Sequence, residues 1–345
     1  MLNTHYRLAA AISPSRACPL EHEALIPPDL AGRRLDQALA QLFPDYSRSR
    51  LKNWILDGRV RLDGATVAPR TAVAEGQVVT LQAADETRAQ DDPQAIELDV
   101  VHADEHVVVI NKPAGLVVHP GAGQPAGTLV NGLLHRWPEL KALPRAGLLH
   151  RLDKDTSGLL VVARSDAAHT RLVRDLQERR ITREYRAVCH GRLTAGGRIE
   201  AAVGRHPVHR TRMAVTPRGR PAVTHYRVLT RFAAHSFIAL RLETGRTHQI
   251  RVHMAHAGHP LVGDPAYGGR PRFPAGASET CRAALAGFRR QALHACRLRF
   301  EHPVTGAALE FSAPLPDDLK GLLAALAEPD ARPVNFDALP WPESS

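Results

Sequence analysis

The chain contains the stretch Leu149-His150-Arg151-Leu152-Asp153-Lys154-Asp155-Thr156-Ser157-Gly158-Leu159-Leu160-Val161-Val162-Ala163, in which a charged segment leads directly into an apolar run. An apolar run of this kind, ending at Arg164-Ser165, predicts a buried strand. The charged segment then forms a loop at the mouth of a sheet, where a side chain is held in place yet stays accessible. Asp153 is the candidate nucleophile or base of this loop. The alternative is that Asp153 and Asp155 are ordinary turn residues with solvated carboxylates, because aspartate favours turns.

The length and charge of the chain suggest two domains and an anionic partner. Its 345 residues exceed the usual size of one domain. The formal net charge is +10 and the sequence pI is about 10.0, which indicates nucleic acid as the partner. A basic bias throughout the source proteome is the alternative explanation. No run of about 18 apolar residues is present, so we expect no transmembrane helix and no membrane partner.

Neither the cysteines nor the histidines form a metal-binding motif. The four cysteines are Cys18, Cys189, Cys281 and Cys296. Their wide spacing, without a Cys-x-x-Cys pair, is typical of reduced thiols in a cytoplasmic protein. His253, His256 and His259 are spaced three apart, but Gly258-His259-Pro260 interrupts any helix there, and no His-Glu-x-x-His occurs. We therefore expect a cytoplasmic protein without a metal site.

Changes in composition divide the chain into segments. We expect a disordered leader at residues 1–26, a small domain at 27–83, a polar linker at 84–95, a larger strand-rich domain at 96–326 and a loose tail at 327–345. The linker lacks apolar periodicity and contains proline. The tail is rich in proline and acidic residues, which favours a loose chain end.

The small domain has the pattern helix, helix, short basic strand and turn. Apolar residues at helical spacing predict a helix over 34–43 that Pro44 ends. A second helix begins after Ser47 or Ser49, and Asp63-Gly64 follows a short strand as a hairpin turn. This order of elements resembles the S4 RNA-binding domain.

That resemblance places a set of basic residues against RNA. The set is Arg48, Arg50, Lys52, Arg59 and Arg61. Arginine suits phosphate because its planar guanidinium donates two parallel hydrogen bonds. The alternative is that these residues form the solvated face of an ordinary surface helix.

Three motifs of the larger domain resemble those of the RluA-type pseudouridine synthases. They are His150-Arg151-Leu152-Asp153-x-x-Thr156-Ser157-Gly158, Arg183-x-Tyr185 and Thr244-Gly245-Arg246-Thr247-His248-Gln249-Ile250-Arg251. The resemblance implies an α+β protein. Its small S4-like domain is followed by a catalytic domain with a mixed, largely antiparallel β-sheet and flanking helices, which is the pseudouridine synthase fold.

The same resemblance implies roles for individual residues. Asp153 is then the catalytic residue, Tyr185 lies against the target base, and Arg246 pairs with Asp153. Arg151 fills the place that the base leaves, and Arg183 also contacts the RNA. A cation in the position expected for Arg246 keeps a partly desolvated carboxylate ionised and aimed. Arg246 precedes a helix that the side chain of Thr247 can cap.

The implied reaction converts uridine in RNA to pseudouridine. It breaks the C1′–N1 glycosidic bond, turns the base and forms a C1′–C5 bond, so no cofactor or metal is needed. Asp153 can act as a nucleophile at the sugar carbon or as a base that removes a sugar proton. The S4-like domain and runs such as Met213-Ala214-Val215 favour the members that modify the helix 69 stem-loop of large-subunit ribosomal RNA. We expect a monomer.

Three alternatives remain open from the sequence. The enzyme acts at another ribosomal RNA site or on transfer RNA, the chain is an RNA-binding module without catalysis, or it is a glycoside hydrolase with Asp153 and Asp155 as paired carboxylates. The basic charge and the few aromatic residues, 5% of the chain, fit a sugar-binding cleft poorly.

Overall fold

The computed structural model describes residues 20–44, 46, 48–83, 92–121, 123–327 and 335–337. The chain divides into two compact units, Met1–Arg88 and Ala89–Ser345. The division falls inside the linker expected at 84–95, of which residues 84–91 lie outside the described residues.

The first unit is an antiparallel sheet with two helices. Its strands are β1 (Leu20–Leu25), β2 (Val60–Leu62), β3 (Ala65–Thr66) and β4 (Val78–Ala83), in the order β1-β4-β2-β3. The helices are α1 (Leu35–Leu42) and α2 (Arg48–Leu56). Leu35 and Leu39 of α1 share one hydrophobic core with Leu51 and Trp54 of α2, so the apolar face predicted for each helix is the buried one.

Strand β1 lies within the segment that we expected to be a disordered leader. Ala24 pairs with Val79 and Leu25 with Val78 on β4, and Ile26 is buried. The strand forms because it supplies the hydrogen-bonding partner for this side of β4, which would otherwise be a free edge. The first unit therefore includes residues from Leu20 onward rather than from Pro27, and residues 1–19 lie outside the described part of the chain.

The second unit is built on a nine-stranded sheet. Its strands are β5 (Val100–Ala103), β6 (Val107–Lys112), β7 (Ser157–Ala163), β8 (Thr182–His190), β9 (Gly197–Glu200), β12 (Val223–Arg231), β13 (His235–Leu242), β14 (Leu293–Glu301) and β15 (Ala308–Ser312). The order is β5-β6-β7-β14-β8-β13-β12-β9, and β15 pairs with β14. Neighbouring strands are antiparallel except β7 and β14, which are parallel. The expected fold class is confirmed. Two short strands, β10 (Val203–Arg205) and β11 (Met213–Val215), form a separate antiparallel pair.

Helices cover both faces of the large sheet. They are α3 (Leu129–Arg136), α4 (Asp166–Gln177), α5 (Gln249–His256), α6 (Glu279–Gly287) and α7 (Asp317–Leu326). Alternate residues of a strand point to opposite faces. On β8, Tyr185 and Ala187 belong to the core that includes residues of α3 and α5, whereas Val188 belongs to the core that includes residues of α6 and α7.

Strand β7 fixes the loop that precedes it. All seven of its residues are buried, as the apolar run predicted. Ser157 Oγ lies 2.9 Å from Nδ1 of His294 on β14. Gly158 has a φ of 112°, and a Cβ at this position would lie 2.2 Å from the carbonyl oxygen of Ala295. Only glycine lets β7 and β14 approach this closely.

The chain after α7 differs in part from the loose tail that we expected at 327–345. The ring of Phe336 contacts that of Phe237 at 5.6 Å between centroids, and Leu315 N donates a hydrogen bond to Asp337 Oδ1 at 2.6 Å. The apolar ring docks because it extends the core beside α6 and α7. Residues 328–334 and 338–345 lie outside the described residues. Within the described ranges, no helix has the length and hydropathy needed to cross a membrane.

Candidate active site

The three motifs meet at one cleft of the second unit. The cleft has a volume of about 770 Å³ and opens beside β7, β8 and the start of α5. Asp153 and Tyr185 line it together with Arg151, Arg183 and Arg246, so the structure brings together every site residue expected from the second domain. The three motifs are far apart along the chain, and the pairing of β14 with β7 and β8, and of β8 with β13, brings them together.

Asp153 is held by an arginine inside α5. Arg251 Nη1 donates a hydrogen bond to Asp153 Oδ2 at 2.9 Å. Arg251 Nε and Nη2 donate to the two carboxylate oxygens of Asp264 at 2.7 and 2.9 Å. Burial alone would lower the pKa of Arg251, but its hydrogen bonds and charge contacts with Asp264 and Asp153 raise that pKa above the ordinary value. Arg251 is therefore a permanent cation that bridges the buried carboxylate of Asp264 and the carboxylate of Asp153, which is accessible from the cleft.

The expected pairing of Arg246 with Asp153 is wrong. Arg246 lines the cleft, but its Nε donates to the carbonyl oxygen of Pro221 at 3.3 Å. The reason is the local backbone. Gln249 is buried, its Oε1 accepts the backbone N–H of Arg246 at 3.0 Å, and this closes a turn that places α5 so that Arg251 faces Asp153.

The residue before α5 is His248, and Thr247 does not cap the helix as we expected. His248 adopts the left-handed conformation with a φ of 55°. Its Nδ1 lies 2.8 Å from Tyr267 Oη, which also accepts the backbone N–H of Met213 at 2.9 Å. This contact aims Nε2 of His248 toward Asp153 Oδ1, 3.8 Å away.

The charge state of His248 follows from this setting. Burial lowers the pKa of His248, and the nearby charge of Asp153 offsets part of that effect. The imidazole is therefore neutral near pH 7. Burial also raises the pKa of Tyr267, which keeps its hydroxyl protonated. The third motif included His248 without a role, and Tyr267 lies outside all three motifs, because only the fold brings the two rings to Asp153.

The wall of the cleft facing Asp153 is formed by β8. Tyr185 is buried, and burial raises the pKa of its hydroxyl, so the ring is a neutral, largely apolar surface. Both ring nitrogens of His150 are buried without a hydrogen-bond partner among the described residues. Burial, with a smaller effect of the Arg183 charge, lowers the pKa of His150 to about 3. His150, which lies in the loop before β7, is therefore a second neutral ring lining the cleft.

The loop that carries Asp153 is tied to two other parts of the unit, the end of β6 and the segment before β14. The buried Lys112 Nζ donates to the carbonyl oxygens of Pro113, Leu116 and Lys154 at 2.8, 2.9 and 2.9 Å. Burial lowers the pKa of Lys112 to about 7, although the charges of Asp155 and Asp153 act in the opposite direction.

Two further contacts come from the segment before β14. Arg290 Nη1 donates to the carbonyl oxygen of Asp155 at 3.2 Å, and Gln291 Nε2 donates to Thr156 Oγ1 at 3.0 Å. With Lys112 these contacts hold the loop rigid, which a positioned catalytic carboxylate requires.

The RNA-binding residues expected in the first unit are only partly described. Lys52 and Arg61 are exposed and Arg59 is partly buried. Arg48 and Arg50 begin α2, and their side chains lie outside the described residues.

His253, one of the three histidines considered as metal ligands, has other partners. His253 is buried, with Nδ1 2.9 Å from Thr224 Oγ1 and Nε2 2.9 Å from the carbonyl oxygen of Ala201. In the described part of the chain, no group of three or more His, Cys, Asp or Glu side chains is arranged to hold a metal ion.

Comparison with known proteins defines the class to which this site belongs. The family model for RNA pseudouridylate synthases matches residues 106–256, and that for the S4 domain matches residues 33–79. A synthase of Vibrio parahaemolyticus is 58% identical over 296 residues, covering 86% of this chain and 91% of that protein. A synthase of Xanthomonas campestris is 56% identical over 310 residues, covering 90% of this chain and 94% of that protein. The chain belongs to the RNA pseudouridylate synthase family and is a pseudouridine synthase, an isomerase.

The relatives also share a particular name. Both are ribosomal large subunit pseudouridine synthases D, as is the Escherichia coli K12 protein, which is 57% identical over 296 residues and matches 86% of this chain and 91% of its own. Among solved structures, human RNA pseudouridylate synthase domain containing 1 is 28% identical with a TM-score of 0.50, covering 69% of this chain and 98% of that one. Membership of this family excludes the glycoside hydrolase alternative.

Proposed function

We propose that this protein isomerises uridines of large-subunit ribosomal RNA to pseudouridine, with its target in the helix 69 stem-loop and Asp153 as the catalytic residue. The substrate class is supported by the similarity to large-subunit synthases and by the S4 domain. The observation that carries the catalytic role is the position of Asp153, held from behind by Arg251 in a basic cleft. We further propose that the enzyme is a monomer and acts in the cytoplasm.

The geometry of Asp153 suits the first step of the reaction. Arg251 occupies Oδ2, which leaves Oδ1 directed to the cleft. Oδ1 can attack C1′ and displace N1, or it can take a proton from C2′ and give a glycal. After the uracil turns, C5 bonds to C1′. In the first route this displaces Oδ1 of Asp153 from C1′, and in the second route the proton taken by Asp153 returns to C2′. In both routes the proton on C5 then leaves and N1 gains a proton. Atoms and electrons balance without an added reactant.

Tyr185 and Arg151 suit the handling of the base. The target uridine must leave its stack at a cost of a few kcal/mol. Stacking of a base on an aromatic ring returns about 1–3 kcal/mol, and the neutral Tyr185 ring on the cleft wall can supply it. Arg151 is exposed at the cleft and can fill the space that the base leaves.

The test compares two aspartates of the same loop. Asp153→Asn should fold and bind RNA but release no tritium from RNA labelled at C5 of uridine, because its amide cannot act as nucleophile or base. Asp155→Asn is the matched control and should retain activity, since the main-chain carbonyl of Asp155, which holds the loop through Arg290, is unchanged. Activity in the Asp153 variant would refute the catalytic assignment.

The target site needs a separate measurement. Ribosomal RNA from a strain that lacks this protein should be missing pseudouridine in helix 69, and the purified protein should restore it. If pseudouridine were missing instead at another ribosomal RNA position, or in transfer RNA, the proposed target would be wrong. The proposed reaction would be unaffected.

A further inference from the structure

A segment beside the cleft carries an unusual excess of positive charge. No acidic residue occurs between Glu200 and Glu243. Residues 203–220, which we call the basic hairpin, contain five arginines and two histidines. The arginines are Arg205, Arg210, Arg212, Arg218 and Arg220, and all five are exposed. A concentration of one sign of charge attracts a partner of the opposite sign.

Four of these arginines have guanidinium groups without a partner among the described residues. Arg205 Nη1 donates to the carbonyl oxygen of Arg210 at 2.9 Å and so stabilises the turn. The side chains of the other four arginines form no hydrogen bond or ion pair with any residue that the structure describes. Other exposed arginines of the unit do find acidic neighbours, as Arg198 does in Glu200. The hairpin therefore keeps its cations available for a ligand.

The basic hairpin is compact enough to present these cations in fixed positions. Val203 pairs with Val215 of β11 on one side and with Arg220 on the other. Gly219 makes this possible, because a Cβ there would lie 2.6 Å from the backbone carbon of Val203. A ligand that binds here does not have to order a loose loop first.

The base of the hairpin is anchored to the active site. Met213 N donates to Tyr267 Oη, the hydroxyl that holds His248 beside Asp153. Val203 packs with Val252 of α5, one residue beyond Arg251. Arg246, at the cleft, bonds to the carbonyl oxygen of Pro221 at the end of the hairpin. These contacts join the base of the basic hairpin to α5 and to residues that line or support the cleft.

We propose that the basic hairpin is a second RNA-binding surface, located in the catalytic unit, which holds phosphates of the strand that adjoins the target uridine. The inference rests on the proposed function for the class of ligand. Guanidinium groups bind phosphate with paired, charge-assisted hydrogen bonds. Contacts of this kind fix the register of the nucleic acid without reading its bases. The hairpin would thus position the strand, while the cleft receives the flipped uridine.

The test uses the full-length protein and a synthetic helix 69 stem-loop RNA. Arg210→Gln and Arg212→Gln are combined, and affinity is measured by fluorescence anisotropy from low to high salt. Each phosphate contact contributes about 0.7 to the log–log salt slope for single strands, so losing two contacts should flatten the slope by about 1.4. If the two proteins bind equally at 1 M salt, this change in slope makes the affinity of the variant roughly 25-fold weaker at 0.1 M salt.

Two controls separate charge from structure. Replacing the same two arginines by lysine should restore most of the salt slope, because the charges remain. Arg282→Gln removes an exposed arginine from α6, which packs on the opposite face of the sheet, and should leave the slope unchanged. If the double glutamine variant keeps the wild-type affinity and slope, the proposal is overturned. An equal effect of the lysine and glutamine pairs would also overturn it, since the loss would then be structural.

Failure of the proposed function gives a different pattern. In that case the wild-type protein would form no pseudouridine in the stem-loop, whatever its affinity. Failure of the hairpin proposal leaves wild-type tritium release intact and shows only an unchanged salt slope in the variant. An unchanged slope combined with binding of an acidic polypeptide would assign the hairpin to a protein partner instead.

Discussion

Arg251 is the residue on which the position of Asp153 depends most directly. Replacing it by methionine leaves Asp264 as a buried carboxylate without its cation, which typically costs about 3–5 kcal/mol. Arg251→Met should therefore lower the free energy of unfolding by that amount and remove activity. Urea unfolding and tritium release measure the two effects.

Arg246→Ala is the informative comparison, because the side chain of Arg246 makes one hydrogen bond with the described residues, to a backbone carbonyl. We expect a change in unfolding free energy of less than about 1 kcal/mol, the usual net value of such a bond. Equal destabilisation by the two substitutions would mean that Arg251 does not hold a buried pair.

These two arginines also show the limit of the sequence at this scale. The place of Asp153 in a loop before a buried strand was predictable from the apolar run. Its catalytic role was implied only by the resemblance and remains a proposal. The motif offers Arg246 and Arg251 five positions apart, and either can reach the carboxylate in principle. Which of the two arginines reaches Asp153 depends on the left-handed backbone of His248 and on the hydrogen bonds of the buried Gln249. The sequence around these residues does not reveal either feature.

At the scale of the secondary-structure elements, the parallel contact of β7 with β14 fixes the loop that carries Asp153. Gly158→Ala should be strongly destabilising, since its Cβ would meet the Ala295 carbonyl oxygen at 2.2 Å in addition to the strain of a positive φ. We expect the free energy of unfolding to fall by a value on the order of 3 kcal/mol. About 1–2 kcal/mol of this comes from backbone strain and the rest from overpacking. Thermal unfolding and single-turnover kinetics should both change, because displacement of β7 moves Asp153.

Gly306→Ala is the matched control for this prediction. Gly306 has a φ of 72°, and a Cβ there would have no heavy atom within 4 Å. This substitution therefore measures backbone strain alone, and it lies in the turn between β14 and β15. If the two variants lost similar amounts of unfolding free energy, the close approach of β7 and β14 at Gly158 would not contribute to stability.

Most elements were predictable from periodicity, and the exceptions have a common cause. The helix at 317–326 and the buried strand β7 follow directly from their apolar patterns. Strand β1 forms because β4 offers it an unpaired edge. Phe336 docks because the core beside α6 and α7 leaves an apolar surface for its ring. Partners of that kind are distant in sequence and cannot be inferred from the segment itself.

At the scale of the whole molecule, the division into two units predicts separable tasks. The described residues of the four hydrophobic clusters of the second unit all come from that unit. Removing residues 1–88 should therefore leave the second unit folded and able to modify a short RNA at high concentration. Affinity should fall and the salt slope should flatten by about 0.7 for each lost phosphate contact.

Circular dichroism and anisotropy titrations of the truncated protein provide the measurement. Unchanged affinity and slope would show that the S4 domain is not the RNA anchor, and its basic face would then be ordinary solvated surface. The polar linker separates two stretches with independent apolar patterns, and the division between the two units falls inside it. The sequence placed the start of the first unit too late, since β1 becomes recognisable only when paired with β4.

The pairing of β7 with β14 also has a consequence for the order of events during synthesis. Asp153 binds an arginine 98 residues further on, Thr156 a glutamine 135 further on, and Ser157 a histidine 137 further on. The described strands and helices of the first unit all lie within residues 20–83, so this unit can fold as soon as it leaves the ribosome. The catalytic loop must wait until β14 has been translated, because long-range pairings form late. A nascent chain interrupted before that point would bind RNA without modifying it, so isomerase activity arises only when the protein is nearly complete.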